Sequence, residues 1–168
     1  MNKHTPIDDY VIRQATADDC ELLLTLIREL AEYEQLSHEV KATAEKLKEN
    51  LFGPSQFAEV LIGECKGLAV GYALFFHSFS TFTGKPGLYL EDIYVKPDWR
   101  GRGYGKLMMV HIAGLAIERK CTRMEWSVLD WNAPSISFYR SIGAISMDGW
   151  TVQRLSGTAL EELALGSN

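Results

Sequence analysis

Apolar and polar positions divide the chain into short elements. Tyr10–Gln14 alternates with period two, as a half-exposed strand does. Leu22, Leu23, Leu26, Ile27 and Leu30 then recur at helical spacing as far as about Tyr33. Thr16 stands where that helix needs an N-cap, and Asp18 and Asp19 fall in its first turn, where the helix dipole favours acids. Thr43 predicts the start of a second helix, which ends near Phe52 before Gly53-Pro54. Residues 34–42 join the two.

The apolar runs Phe57–Glu64 and Leu68–Phe76 flank Cys65-Lys66-Gly67 and predict a hairpin. Residues 83–87 form the next turn, and Leu88–Val95 is the central strand, stopped by Pro97. An apolar helix runs from Lys106 to about Lys120, and Met124–Leu129 is a further strand. Asn132-Ala133-Pro134-Ser135 opens a short helix that ends at Gly143. Pro134 falls in its first turn, where a missing N–H costs little. Ala144–Met147 and Trp150–Leu155 read as two terminal strands. Residues 1–9 read as a loose tail, and the last dozen residues receive no element.

The order is strand, two helices, three strands, helix, strand, helix, two strands. Hairpins make the early strands antiparallel, and the helix after the central strand makes the next pair parallel. The fold class is therefore α/β (α+β): a mixed, mostly antiparallel sheet of about seven strands with flanking helices. It forms one domain over 1–168 with its core over about 10–155.

Between the central strand and the apolar helix lies Arg100-Gly101-Arg102-Gly103-Tyr104-Gly105-Lys106. Closely spaced glycines let the backbone turn tightly and approach a ligand. A helix starting there adds free N–H groups and the positive end of its dipole, which together make a phosphate cradle. A Walker A loop requires Ser or Thr after its Lys, and here Leu107 follows Lys106. A dinucleotide fingerprint requires GxGxxG near the first strand; this is GxGxG after the fourth, although Glu125 stands where a ribose-binding acid could sit. The third pattern, Arg/Gln-x-x-Gly-x-Gly/Ala, is met by Arg100, Gly103 and Gly105.

The net charge of −5 argues against a nucleic-acid partner and is compatible with a cationic substrate. Cys20, Cys65 and Cys121 are odd in number and widely spaced, and the four histidines show no ligand spacing, so no metal is expected. Free thiols, an N-terminus without an apolar signal core and no run of membrane-spanning length lead to the expectation of a cytoplasmic protein with no membrane partner.

The glycine loop has company. Tyr89-Leu90-Glu91-Asp92-Ile93-Tyr94-Val95 precedes it, and Trp131-Asn132-Ala133-Pro134-Ser135-Ile136-Ser137-Phe138-Tyr139 follows. With Val11–Thr16 and Ile27–Glu34, these segments resemble the GNAT superfamily of acetyl-coenzyme A-dependent N-acetyltransferases, of the spermidine/spermine type that includes enzymes acting on thialysine. The resemblance covers about residues 10–155. It departs at a shorter hairpin between the second and third strands, and at a shorter loop before Trp150 that leaves Asp148 as its acid.

The resemblance implies acetyl transfer from acetyl-CoA to a primary amine of a small cationic substrate (polyamine, thialysine or lysine-like amino acid) by direct attack. It implies Glu91 as general base, with a structural carboxylate or a substrate anchor as the alternatives. It implies Tyr139 as the acid that protonates the leaving thiolate, with core packing as its alternative. The backbone at Ile93, Tyr94 and Val95 would hold the pantetheine arm through a strand bulge. Arg100, Gly101, Arg102, Gly103, Tyr104, Gly105 and Lys106 would hold the pyrophosphate, and Asn132, Ala133, Pro134, Ser135 and Tyr139 would contact the coenzyme from the other side. Arg28, Glu29, Glu91, Asp92, Glu125, Trp126, Ser127, Asp148 and Trp150 would line the amine site. The same resemblance implies a homodimer. A non-catalytic acetyl-CoA sensor on the same fold is the alternative of a different class; retention of both Glu91 and Tyr139 favours the enzyme.

Overall fold

The structure, a computed structural model, describes residues 9–166. The expected tail over 1–9 thus lies outside the described residues, Asp9 excepted. Two compact units are distinguished, one ending at Ser127 and the other beginning at Val128.

The first unit carries a five-stranded sheet in the order β1-β2-β3-β4-β5. Its strands are β1 (Tyr10–Gln14), β2 (Glu59–Cys65), β3 (Leu68–Ser80), β4 (Lys85–Val95) and β5 (Met124–Glu125). Neighbours are antiparallel except β4 and β5, which are parallel, as the intervening helix requires. The β2–β3 hairpin closes with Cys65 opposite Leu68. Its two loop residues, Lys66 and Gly67, both have positive φ, 52° and 76°, the geometry that matches strand twist.

Two helices precede β2. Asp19 accepts from the Thr16 backbone N–H at 2.8 Å and from Thr16 Oγ1 at 3.1 Å, closing a short 3-10 turn from which α1 (Cys20–Tyr33) grows. Thr43 Oγ1 accepts from the Lys46 N–H at 3.3 Å and caps α2 (Ala44–Phe52). Leu23, Leu26, Leu51, Val60, Ile62, Tyr72 and Tyr94 pack into one core cluster that seats both helices on the sheet. Each such buried aliphatic side chain contributes roughly 1.5–3 kcal/mol.

Three features differ from the sequence reading. β3 and β4 extend to Ser80 and from Lys85, well past Phe76 and Leu88, because their ladder continues from His77 opposite Leu88 to Ser80 opposite Lys85. β5 is only Met124–Glu125, not Met124–Leu129. Its ladder stops at Tyr89 opposite Glu125, so among the described residues no strand pairs with β4 on that side beyond Tyr89.

The second unit contains α4 (Ala133–Ser141) and α5 (Thr158–Ala164). The terminal strands expected at Ala144–Met147 and Trp150–Leu155 are not formed, so among the described residues the sheet has five strands and not seven. Alternation there satisfies a strand pattern, but a strand exists only by pairing, and these residues find no ladder partner among the described residues. Helix α5 forms where the sequence offered no assignment.

Candidate active site

In the first unit, the end of β4, a 3-10 turn (Pro97–Trp99) and α3 (Tyr104–Glu118) present the glycine loop. Gly101 and Gly103 adopt φ of 74° and 85°. A Cβ at Gly101 would meet nothing within 4 Å, so glycine is needed there for its backbone conformation rather than for space. Gly103 is the N-cap of α3 and offers no capping side chain, and the first turn holds no acid. The first in-helix bond to the cap runs from Leu107 N–H to Gly103 C=O at 3.0 Å. The N–H groups of Tyr104, Gly105 and Lys106 precede it, with no capping side chain to take them. This is a donor set that fits a pyrophosphate.

The side chains around the loop anchor it. Arg100 Nε donates to Val95 C=O at 2.8 Å, and its guanidinium lies over the rings of Tyr33, 4.4 Å, and Tyr94, 5.7 Å. Arg102 donates to Asp98 C=O at 3.1 Å and stacks over Trp99 at 4.7 Å. Tyr104 is buried: its ring stacks on Tyr10 at 4.3 Å and its hydroxyl lies 3.2 Å from Cys65 Sγ. Only its backbone faces a ligand's position at the helix end. Lys106 is exposed.

Upstream, β4 is bulged. Leu74 opposes Asp92 and Phe75 opposes Leu90, which leaves Glu91 as the extra residue. The bulge therefore lies at Glu91 and not within Ile93–Val95, whose residues pair regularly with Ala73, Tyr72 and Gly71. Glu91 is exposed, and Asp92 is half-buried. Asp92 Oδ2 accepts from the Tyr72 hydroxyl at 2.9 Å. Burial pushes the Asp92 carboxyl up from 3.8 to about 6; the Tyr72 hydrogen bond opposes this, and the charges of Glu91 and Glu34 add to it. Burial also raises the Glu34 carboxyl. The Tyr94 side chain belongs to the core, so only its main chain could serve a ligand.

On α1, Glu29 pairs with Lys96 at 3.5 Å, while its Oε2 is buried with no hydrogen-bond partner. Arg28 and Glu29 line an open cleft of about 410 Å³ together with Thr25, Glu32, Ser37 and Val40. Glu125 is tied to Arg123 at 2.9 Å, Ser127 Oγ lies 3.0 Å from the Tyr89 hydroxyl, and Trp126 is half-buried.

In the second unit, buried Asn132 caps α4, its Oδ1 accepting from the Ser135 N–H at 3.3 Å. Ala133 and Pro134 form the exposed first turn, and Tyr139 is half-buried beside Phe138, ring centroids 5.4 Å apart. Asp148 and Trp150 are exposed, Trp150 to 77%, and no strand holds them.

The structure thus gathers Arg28 with Glu29, and Glu91 with Asp92, in one unit with the glycine loop. Sequence reasoning missed Tyr72, Glu34, Tyr33 and Lys96. A tyrosine inside the otherwise apolar run Leu68–Phe76 was a usable signal, because a buried phenol needs a partner for its hydroxyl.

Among the described residues no group of three or more His, Cys, Asp or Glu could hold a metal ion, and no helix is long and apolar enough to cross a membrane.

An uncapped glycine-bearing helix start thus follows, after a short turn, a bulged strand with no strand pairing beyond Tyr89 among the described residues. Residues 22–144 match the model of the acetyltransferase (GNAT) family, and the chain belongs to that family: it is an acetyltransferase. It is 41% identical over 165 residues to a thialysine N-epsilon-acetyltransferase of Bos taurus, covering 92% of this chain and 96% of that protein. It is also 34% identical over 172 residues to human spermidine/spermine N(1)-acetyltransferase-like protein 1, covering 96% of this chain but 25% of that protein. Among solved structures, a Vibrio cholerae integron cassette protein superposes with a TM-score of 0.79 at 25% identity, over 93% of this chain and 98% of the other.

Proposed function

We propose that this enzyme transfers acetyl from acetyl-coenzyme A to a primary amine of a small molecule carrying a second positive charge, a polyamine or a lysine-like diamino acid such as thialysine. The observation that carries the reading is the strand–turn–helix from Glu91 to Lys106, which sets a bulged acid and an uncapped helix start on one continuous element. The relatives' named substrates support the amine class. So does Asp92, whose carboxylate beside the bulge suits an ammonium group.

Bound acetyl-coenzyme A supplies a thioester carbonyl for the amine to attack. The N–H groups of Tyr104, Gly105 and Lys106, with Gly101–Gly103, hold its pyrophosphate, and the main chain of Ile93–Val95 holds the arm. An alkyl ammonium is neutral only about one part in a thousand at neutral pH, so a base is needed. Glu91, exposed at the bulge, takes that proton through water. Tyr139 gives its phenolic proton to the departing sulfur; this role rests on its place in the Asn132–Tyr139 segment. Arg28 and Glu29 belong to the amine site through their cleft, while Asp148 and Trp150 keep a role only by resemblance. The family match spans both units, which supports reading 1–168 as a single domain with its core over about 10–155. The protein acts as a homodimer in the cytoplasm, without nucleic acid, membrane or metal.

The test is a titration with acetyl-coenzyme A, coenzyme A and NAD, followed by thiol release across an amine panel. Binding of acetyl-coenzyme A with release on diamines is the expected result. Binding of NAD alone overturns the reading, and binding without release on any amine replaces the enzyme with a sensor of the coenzyme.

A further inference from the structure

Tyr72 is fully buried, with 0% of its surface exposed, in β3 beside the buried apolar Val70, Ala73 and Phe75. Its buried hydroxyl donates to Asp92 Oδ2 at 2.9 Å, next to the bulge. Among the described residues, Asp92 makes no other hydrogen bond and no ion pair, so Oδ1 is uncommitted. The charged neighbours of this pair are acids: Glu91 on the same strand and Glu34 at the end of α1. Tyr94 is the remaining titratable neighbour of Tyr72. Among the described residues no cation pairs with Asp92 from these elements.

We propose that Tyr72 is a positioning residue for substrate selection: its buried hydroxyl pins one oxygen of Asp92 so that the other meets the second ammonium of a diamine. This rests on the reading of Asp92 as a substrate acid. A carboxylate between two other acids would otherwise swing away from them or take up a proton, and either change would remove its charge from the bulge. The phenol prevents the first by geometry. It opposes the second because a donated hydrogen bond favours the ionised carboxylate. Phenylalanine would pack equally well in the core and lose both effects.

The experiment compares wild type, Tyr72→Phe and Asp92→Asn on a matched pair, putrescine and butylamine. The ratio of their kcat/KM values cancels the deprotonation that both reacting amines share. In wild type the ratio should rise through about pH 6, as Asp92 ionises. In Tyr72→Phe the midpoint should move up by about one pH unit, the loss of one hydrogen bond to a charged group. Asp92→Asn should flatten the ratio across pH. Carbon-13 NMR of the aspartate carboxyls, without substrate, reads the same midpoint independently of activity.

An NMR midpoint that does not move on Tyr72→Phe overturns the proposal whatever the substrate is. A midpoint that moves while the ratio does not, with Asp92→Asn still flattening it, overturns the selection role of Tyr72 alone. An unmoved ratio in both variants locates the error in the reading of Asp92 as a substrate acid, and the proposal falls with it.

Discussion

Replacing Asp92 with Asn should stabilise the protein at neutral pH. The Asp92 carboxyl titrates at about 6 in the native state against 3.8 ordinarily, a rise of about two pH units. At roughly 1.4 kcal/mol per unit, ionisation costs the fold about 3 kcal/mol once both states are charged. The sign follows from the direction. Below 3.8 the carboxyl is protonated in folded and unfolded chains alike, and nothing is lost. Between 3.8 and about 6 the unfolded chain ionises first, so stability falls as pH rises, and above about 6 the loss is complete. Asparagine keeps an oxygen for the Tyr72 hydroxyl and carries no charge. Urea unfolding should therefore show Asp92→Asn more stable than wild type by about 2–3 kcal/mol at pH 7.5 and equal to it near pH 3.5, a rise in melting temperature of roughly 5–10 °C at the higher pH. Taking the difference between the two proteins removes every other titrating group. A difference that is flat across pH, or a less stable Asn variant at pH 7.5, would refute the reasoning. The gain should come with a raised KM for dications, since stability and binding draw on the same charge in opposite directions.

Gly103→Val places a β-branched residue at φ 85° and a side chain at the helix start. It should abolish the thermal shift given by acetyl-coenzyme A while lowering the free protein's stability by only about 1–2 kcal/mol, and NAD should shift neither protein. Tyr139→Phe should lower kcat by roughly a hundred- to ten-thousand-fold with coenzyme affinity unchanged in calorimetry; wild-type turnover, with chemistry rate-limiting, would reduce Tyr139 to packing. Light scattering at micromolar concentration should give twice the chain mass, and the chain mass alone would remove the homodimer.

What the sequence made legible was local. Thr16 and Thr43 announce the helix starts because a cap needs only its own neighbourhood, and Lys66-Gly67 announces the hairpin because both residues must take positive φ. The loop from Arg100 to Lys106 was readable for the same reason. Long-range pairing was not. Ala144–Met147 and Trp150–Leu155 carry a strand pattern without a ladder, and Ser78 to Ser80 carries a ladder without a strand pattern. At the site, Glu91 and Asp92 were named from their motif. That one would stand out at the bulge while the other leaned on Tyr72, twenty residues away, depended on the register of β3 against β4. The bulge was expected two residues too late, because its place is set by that register and not by composition.

The edge of β4 past Tyr89, unpaired among the described residues, has a consequence for how this protein can vary. Whatever lies along that edge is gripped by amide and carbonyl groups, which every residue except proline supplies in full. Side chains at Leu90, Ile93 and Val95 are then free to answer to the core, and alanine at these three positions would report packing and remain blind to the grip. Main-chain chemistry is what such an edge exposes to selection. A proline, or an ester in place of a single amide, would read it directly, and descendants of this sequence could drift at Leu90, Ile93 and Val95, with Glu91 and Asp92 held, while the seam beside them kept the same chemical face.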